Sequence, residues 1–444
     1  MINAIILAAG KGTRMKTELP KCAFPILEKP MINYILDALD KTKVDKKIVV
    51  VGYKKEVFYD LLKDVNFAEQ VNQLGTADAV KSAINLLDDG ITLILPGDTP
   101  LINYEKINSL IDLELTLNKD ICLLTTFLDN PTGYGRILRK DGKITGIVEE
   151  KDAYEDEKLI KEVNTGIMVV KNSFLKEAIY KIDNNNAKRE YYLTDLLKFT
   201  DDISSILLDN NEILYGINDL YTLSVVEDMV RKQIIKKHTL NGVNIVNPNT
   251  VTIYPEVVIE EGVTIYPNSF IRGNSIIKKG AIIGPNTELY NATILENAKV
   301  KHSVVYDSTI GQYAVIGPFA HIRMNAIIGP NNRIGNFVEV KNSILGDTTK
   351  ASHLSYLGDS KIGDKVNIGC GSITVNYDGK KKSQTIIGNN VFVGCNSNLI
   401  APVEIKDNAF IAAGSTITDN VDESDLAIAR SRQINKKGYA KKYK

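Results

Sequence analysis

"IGQYAVIGPFAHIRMNAIIGPNNRIGNFVEV", residues 310–340, keeps a beat of six. Ile310, Ile316, Ile322, Ile328, Ile334 and Val340 are all aliphatic and evenly spaced. That period fits neither the 3.6-residue turn of an α-helix nor the 3.5-residue repeat of a coiled coil. It fits a parallel β-helix, in which each hexapeptide supplies one short strand and one corner and turns its aliphatic residue into a prism. Glycine follows the aliphatic residue at Gly311, Gly317, Gly329 and Gly335, as it also does at Gly284 and Gly394. A tight corner with little room for a side chain explains that placement. Ala314, Ala320 and Ala326, four positions after the aliphatic residue, complete the unit.

The beat extends in both directions. Upstream, Ile253, Ile259, Ile265, Ile271, Ile277, Ile283, Leu289 and Leu295 are spaced by six, and Val304 leads the second run after a slip of phase. Downstream, Ile387, Val393, Leu399, Ile405, Ile411 and Ile417 make a third run. Between Val340 and Ile362 strict sixes fall on Gly346, Ser352 and Gly358, so this reading places an insertion protruding from the prism there. It contains His353, one of four histidines in 444 residues. A second insertion, "TVNYDGKKKSQT" (374–385), carries Asn376, Tyr377 and Lys382. Interruptions of a solenoid commonly line its binding face, so both stretches are candidate sites.

The first half has a different rhythm. "AIILAA", "KIVVVGY", "ITLILPGD", "ICLLTTFL" and "GIMVV" are short apolar runs separated by amphipathic stretches such as "MINYILDALDKT" and "TADAVKSAINLLDD". Such alternation predicts a Rossmann-like α/β domain with a mostly parallel sheet, whose ligands bind at the carboxyl ends of the strands. From 218 to 240 helical spacing without Gly or Pro predicts one long linker helix. The expected organisation is therefore 1–217, the linker helix 218–240, and a left-handed parallel β-helix over 241–444 ending in a basic tail.

Composition narrows the function. Lys+Arg and Asp+Glu both number 54, which argues against a general nucleic-acid or membrane-surface binder. The end of the chain, "RSRQINKKGYAKKYK", is the exception; it is either a solvated terminus or a site for a polyanionic ligand. "MINAIILAAG" is too short an apolar run for the full pattern of a signal peptide or for a membrane span. Cys22, Cys122, Cys370 and Cys395 form no CxxC pair, so neither a zinc site nor a disulfide framework is expected, and a reduced cytoplasm is the natural home.

"LAAGKGTRMKTELPK" (7–21) follows the first strand run. Gly10 and Gly12 let backbone N–H groups approach a polyphosphate, and Arg14 and Lys21 supply positive charge. The loop is neither GxxxxGK[ST] nor GxGxxG. Asp98 ends the run "ITLILPGD", where an acid can hold Mg²⁺ between strand end and substrate.

This glycine-rich string resembles the signature of the sugar-phosphate nucleotidyltransferases. "QLGTADA", "LPGDTPL", "NPTGYGRI", "GIVEEKDA" and "VNTGI" match in order. With the hexapeptide half attached, the chain resembles, over nearly its full length, the bacterial family of bifunctional N-acetylglucosamine-1-phosphate uridyltransferase/glucosamine-1-phosphate N-acetyltransferases. The resemblance implies that Leu7, Ala8, Ala9 and Gly10, with Gln70, Gly75 and Thr76, hold the uracil of UTP. Gly135, Glu149 and Asn164 would hold the N-acetylated sugar, and Asp98 and Asn218 would hold Mg²⁺. Asp78 stands where histidine is common in the family.

In the second half, "GPFAHIRM", "GNFVEVKNS", "HLSYLGD", "VNIGCGS", "NYDGKKK" and "AIAR" resemble the acetyltransferase part. The resemblance implies that Arg323, Lys341, Tyr356, Asn367 and Lys382 bind glucosamine-1-phosphate, with His353 as general base. Imidazole titrates near neutral pH and suits the removal of an amine proton during attack on acetyl-CoA. Glu339 is the candidate to orient His353. Asn376, Tyr377, Cys395, Ala413 and Arg430 would serve acetyl-CoA, with Cys395 replacing the family's serine. Trimers are usual among hexapeptide acyltransferases. The rival readings are a nucleotidyltransferase for another sugar-1-phosphate, with a β-helix that only oligomerises, and a non-catalytic scaffold.

Overall fold

The computed structural model describes residues 1–209 and 215–443; Lys444, the last residue of the basic tail, lies outside the described residues. The chain forms two compact units, Met1–Val230 and Arg231–Lys444.

In the first unit the apolar runs become strands Ile2–Leu7 (β1), Lys46–Val51 (β2), Asn66–Glu69 (β3), Ile91–Pro96 (β4) and Ile121–Phe127 (β5). They are followed by the hairpin Arg136–Lys140 (β6) and Lys143–Val148 (β7), then Glu162–Lys171 (β8) and Ile203–Leu208 (β9). The sheet order is β9-β5-β8-β4-β1-β2-β3. All neighbours along it are parallel except β8, which runs antiparallel between β4 and β5. Both faces are covered, which is why the strands read as unbroken hydrophobic runs. On one face Ala4, Ile6, Val49 and Leu93 pack under helices Met31–Leu39 (α1) and Tyr104–Leu117 (α3). On the other, Ile5, Ile48 and Ile94 pack under Thr76–Ala83 (α2). The carboxyl ends of β1 and β4 coincide, Leu7 opposite Pro96, and there the loops bearing chemistry begin.

Helix Leu220–Leu240 (α4) contains the division between the units. Within the first unit its Glu227 accepts from Leu27 N–H at 3.2 Å. In the second, Arg231 donates to the carbonyls of Pro248 and Val251, and Ile235 joins the prism's apolar core. Among the described residues no helix is long and apolar enough to cross a membrane.

The second unit is a prism of parallel strands whose inward residues form three ladders. One runs Ile253, Ile271, Leu289, Val305, Ile322, Val340, Leu357. Another runs Ile265, Ile283, Val300, Ile316, Ile334, Ala351, Ile368, Val393, Ile411. The third runs Ile259, Ile277, Ile294, Ile310, Ile328, Leu345, Ile362, Ile387, Ile405. Burying each Val, Leu or Ile of these ladders stabilises the fold by about 2 kcal/mol relative to exposure. A column of glycines lines one corner: a Cβ on Gly311 would lie 2.5 Å from Gly329, and one on Gly329 would lie 2.4 Å from the oxygen of Gly346.

The prism departs from strict sixes. Ile294 and Val305 face inward, whereas Leu295 and Val304 are only half-buried, because some units contain five residues. The same shortening overturns the protruding insertion expected around His353. From Val340 the inward beat passes to Leu345, Ala351, Leu357 and Ile362, each buried. Lys350–Gly358 (β11) is a nine-residue strand paired along its length with Arg333–Lys341 (β10), so His353 lies on a regular coil. The stretch 374–385 is a true insertion: the coil from Ile362 to Ile387 is longer than its neighbours, and Tyr377 and Lys382 bridge across it.

Candidate active sites

In the first unit Leu7, Ala9, Gly10, Lys21, Gln70, Gly75, Thr76 and Asp98 line one cleft of about 320 Å³. Ala8 is buried in the core beneath it, its N–H given to Val50. The two glycines of the loop do different work. Gly12 adopts φ 66°, and a Cβ there would lie 2.6 Å from Lys21 Cβ; Gly10 has open space where a Cβ would be. Gly75 is also obligatory, since at φ 129° a Cβ would come 2.4 Å from the Tyr191 carbonyl.

At the strand end, Lys21 Nζ bonds to Asp98 Oδ2 and lies 2.8 Å from Asn218 Oδ1. Arg14 Nη2 reaches the same Asn218 oxygen at 2.8 Å. Asp98, Asn218, Lys21 and Arg14 are therefore one cluster. Behind it Cys22 is buried, and burial, with Asp98 adding and Lys21 opposing, pushes its thiol up to about 12. Gly135, Glu149 and Asn164 converge separately: Asn164 N–H donates to the Gly135 carbonyl at 2.9 Å, and a Cβ on Gly135 would sit 3.4 Å from Glu149 Oε1. Burial raises the Glu149 carboxyl above its ordinary value, against a hydrogen bond from Thr194.

In the second unit His353 Nδ1 lies 3.1 Å from Asn336 Oδ1, its register neighbour on β10. Glu339 does not bond to it, contrary to expectation; it pairs with Arg323 at 2.7 Å. Three residues beyond His353 begins a buried polar cluster. Lys341 Nζ binds both oxygens of Asp359 at 2.9 and 3.1 Å, and the Asn376 amide also donates to Asp359. Asn376 reaches the Tyr356 hydroxyl at 3.4 Å. Burial alone would lower the Lys341 ammonium, but the Asp359 carboxylate outweighs it and holds the group above its ordinary value. Asn367 is placed beside Lys350 in register and shares no hydrogen bond with this cluster.

Cys395 and Ala413 lie on adjacent coils, Gly414 N–H donating to the Cys395 carbonyl at 2.8 Å. Arg430 Cδ comes 3.6 Å from the Cβ position of Gly414, next to Ala413. Sequence reasoning did not single out Asn336 and Asp359, the hydrogen-bond partners of His353 and Lys341, although "GNFVEVKNS" and "HLSYLGD" contain them.

Three family models match: nucleotidyl transferase over residues 3–203, the GMPPB C-terminal domain over 253–329, and bacterial transferase hexapeptide (six repeats) over 384–419. A protein of Acholeplasma laidlawii named bifunctional protein GlmU is 52% identical over 99% of this chain and 97% of its own. Namesakes in Exiguobacterium sp. and Clostridium acetobutylicum are 46% and 42% identical over 99% of this chain, and 99% and 98% of theirs. The chain belongs to the bifunctional GlmU family. Within this GlmU fold the Asp98 cluster lies wholly in the first unit and the His353 cluster wholly in the second. Of the two residues expected above to depart from the family's pattern, Asp78 accepts from Gln70 Nε2 at 2.8 Å, and Cys395 is an exposed free thiol. A thiol is a weaker donor than a hydroxyl.

Proposed function

We propose that the chain makes UDP-N-acetylglucosamine in two steps, with residues 241–444 acetylating glucosamine-1-phosphate and residues 1–217 joining the product to UTP; 218–240 links them. The observation that carries the reading is the pair of separate polar clusters, one built on a general-base candidate and one on a cationic strand end.

For acetyl transfer, Asn336 Oδ1 fixes the proton on His353 Nδ1 and leaves the Nε2 lone pair available. Nε2 takes the amine proton as nitrogen attacks the thioester carbonyl; the tetrahedral adduct then collapses and coenzyme A leaves as its thiol. Lys341, held by Asp359, and Lys382 supply positive charge for the sugar phosphate, assisted by Arg323, Tyr356 and Asn367. Asn376, Tyr377, Cys395, Ala413, Arg430 and the basic tail face acetyl-CoA and its phosphates.

Uridylyl transfer needs no protein nucleophile, because the sugar phosphate attacks the α-phosphorus of UTP and pyrophosphate departs. Arg14 and Lys21 offset the charge of the phosphates, while Leu7–Gly10, Gln70, Gly75 and Thr76 seat the base and Gly135, Glu149 and Asn164 the sugar. Asp98 and Asn218 fit Mg²⁺: both are hard oxygen donors, and in the structure both are aimed at one cationic atom, Lys21 Nζ. Held there, the ion would neutralise charge building on the phosphate oxygens.

The protein works as a homotrimer in the cytoplasm on small-molecule substrates, with neither nucleic acid nor membrane as partner. An exposed apolar corner at Phe319, Phe337 and Leu354, with the two phenylalanine rings stacked at 5.5 Å, supports self-association. Free cysteines and the cytoplasmic supply of UTP and acetyl-CoA support the location. The test gives purified protein UTP, Mg²⁺, acetyl-CoA and glucosamine-1-phosphate, omitting each in turn. UDP-N-acetylglucosamine forms only in the complete mixture; a product lacking the acetyl group, or none, sinks the reading.

A further inference from the structure

Gln70 follows β3 at the floor of the cleft and is only 5% exposed. Its Nε2 lies 3.0 Å from the Gly75 carbonyl and 2.8 Å from Asp78 Oδ2 in the first turn of α2. Both partners are oxygens that only accept, so both amide hydrogens are committed. Flipping the amide would set Oε1 against two oxygens and lose two hydrogen bonds. The orientation is thus locked, and Oε1 is the group that Gln70 leaves for a ligand in the cleft. A histidine at position 78 could donate or accept according to its tautomer; a carboxylate accepts only.

We infer that Asp78 is a positioning residue which, through Gln70, makes this cleft select a nucleobase that offers a ring N–H. The inference rests on the uridylyl-transfer reading above. Uracil meets the condition, since N3–H can donate to Gln70 Oε1. Cytosine does not: its N3 carries a lone pair and would face the oxygen lone pairs directly. A buried acceptor left opposite another acceptor discriminates more strongly than a mere loss of contact. Asparagine at position 78 keeps the size but can turn either an oxygen or an NH₂ toward Gln70, which leaves the Gly75 carbonyl alone to hold the amide and weakens the lock. Glutamate keeps an acceptor-only group on a longer stem.

The experiment measures sugar-nucleotide formation from N-acetylglucosamine-1-phosphate and Mg²⁺ with UTP or CTP, using the full chain and its Asp78→Asn and Asp78→Glu variants. For Asp78→Asn, kcat/KM with UTP falls about tenfold, mainly through KM, and the preference for UTP over CTP narrows by a similar factor. Asp78→Glu retains most of the preference. A packing role alone would alter stability or kcat without moving the UTP/CTP ratio. An unchanged ratio in Asp78→Asn overturns the inference, as does an equal collapse in Asp78→Glu, and the glutamate variant decides the matter if the asparagine variant does not fold. Failure of the unsubstituted protein to use UTP at all would instead remove the uridylyl reading.

Discussion

His353 is tied to Asn336, not to a carboxylate: Nδ1 and Oδ1 are 3.1 Å apart across the paired strands β10 and β11. Glu339, the carboxylate expected to orient it, is engaged by Arg323. The distinction affects the chemistry. In the acetyl transfer proposed above, a neutral carbonyl oxygen would fix the tautomer and the ring plane without placing a negative charge beside the imidazolium formed when the amine proton is taken. Orientation, more than electrostatic support, is what Asn336 would contribute to that step.

His353→Ala removes the base, and acetyl transfer should fall by about 10³-fold while uridylyl transfer stays within twofold. Asn336→Ala leaves the base but frees the ring, and a loss of about tenfold in kcat is expected. Separate assays of the two half-reactions check both. A fall in both activities in folded protein would contradict two independent sites.

Asp98→Ala should give the mirror image. Removing one of the two oxygens aimed at Lys21 Nζ should reduce uridylyl transfer by about 100-fold or more and spare acetyl transfer. Chelation of Mg²⁺ in the unsubstituted protein should produce the same split. Undiminished UDP-sugar formation in either case would take Asp98 out of the metal site.

Most of the fold was legible because burial on both faces of a sheet and a fixed inward beat each leave a periodic trace. The error at His353 arose from one residue. Counting sixes from Val340 lands on Gly346, Ser352 and Gly358, each one position past the true inward residues Leu345, Ala351 and Leu357. A five-residue unit preserves the ladder in space but not in sequence, and Ala351 has too small a side chain to announce itself. Of the candidate sites, motifs carried Lys21, Asp98 and His353, and the structure brings Lys21 and Asp98 together. Asn336 and Asp359 act on other side chains through pairing across strands, which spacing does not encode.

The glycines supply a contrast between packing and ligand space. Gly329→Ala forces a Cβ to 2.4 Å from the Gly346 oxygen within a rigid stack and should destabilise the protein by about 2 kcal/mol, lowering the thermal midpoint. Gly10→Ala meets no protein atom within 4 Å and should change stability by less than about 0.5 kcal/mol. It should nonetheless raise the KM for UTP, because the open space faces the nucleotide cleft. Equal thermal shifts in the two variants would contradict this division.

Asp359 gathers three donors from the coils on either side of it: Lys341 and Asn342, the latter at 2.6 Å, from one, and Asn376 from the other. Burial would raise its carboxyl, but the amides of Asn342 and Asn376 and the Lys341 ammonium outweigh it and hold the group below its ordinary value. A carboxyl depressed in the folded state stabilises fully above its unfolded value and loses that contribution as pH falls through the folded one. Asp359→Asn leaves the Lys341 ammonium, only 6% exposed, without its counter-charge, and should cost about 3 kcal/mol at pH 7. Denaturant midpoints of the two proteins should then converge as pH falls below the ordinary aspartate value of 3.8 and through the lower native one, where the native carboxylate is itself being protonated; a gap that stays constant throughout the acid range would refute the assignment. Because the same oxygens hold Lys341 and Asn376, the variant should also raise the KM for glucosamine-1-phosphate more than it lowers kcat, and leave uridylyl transfer unchanged.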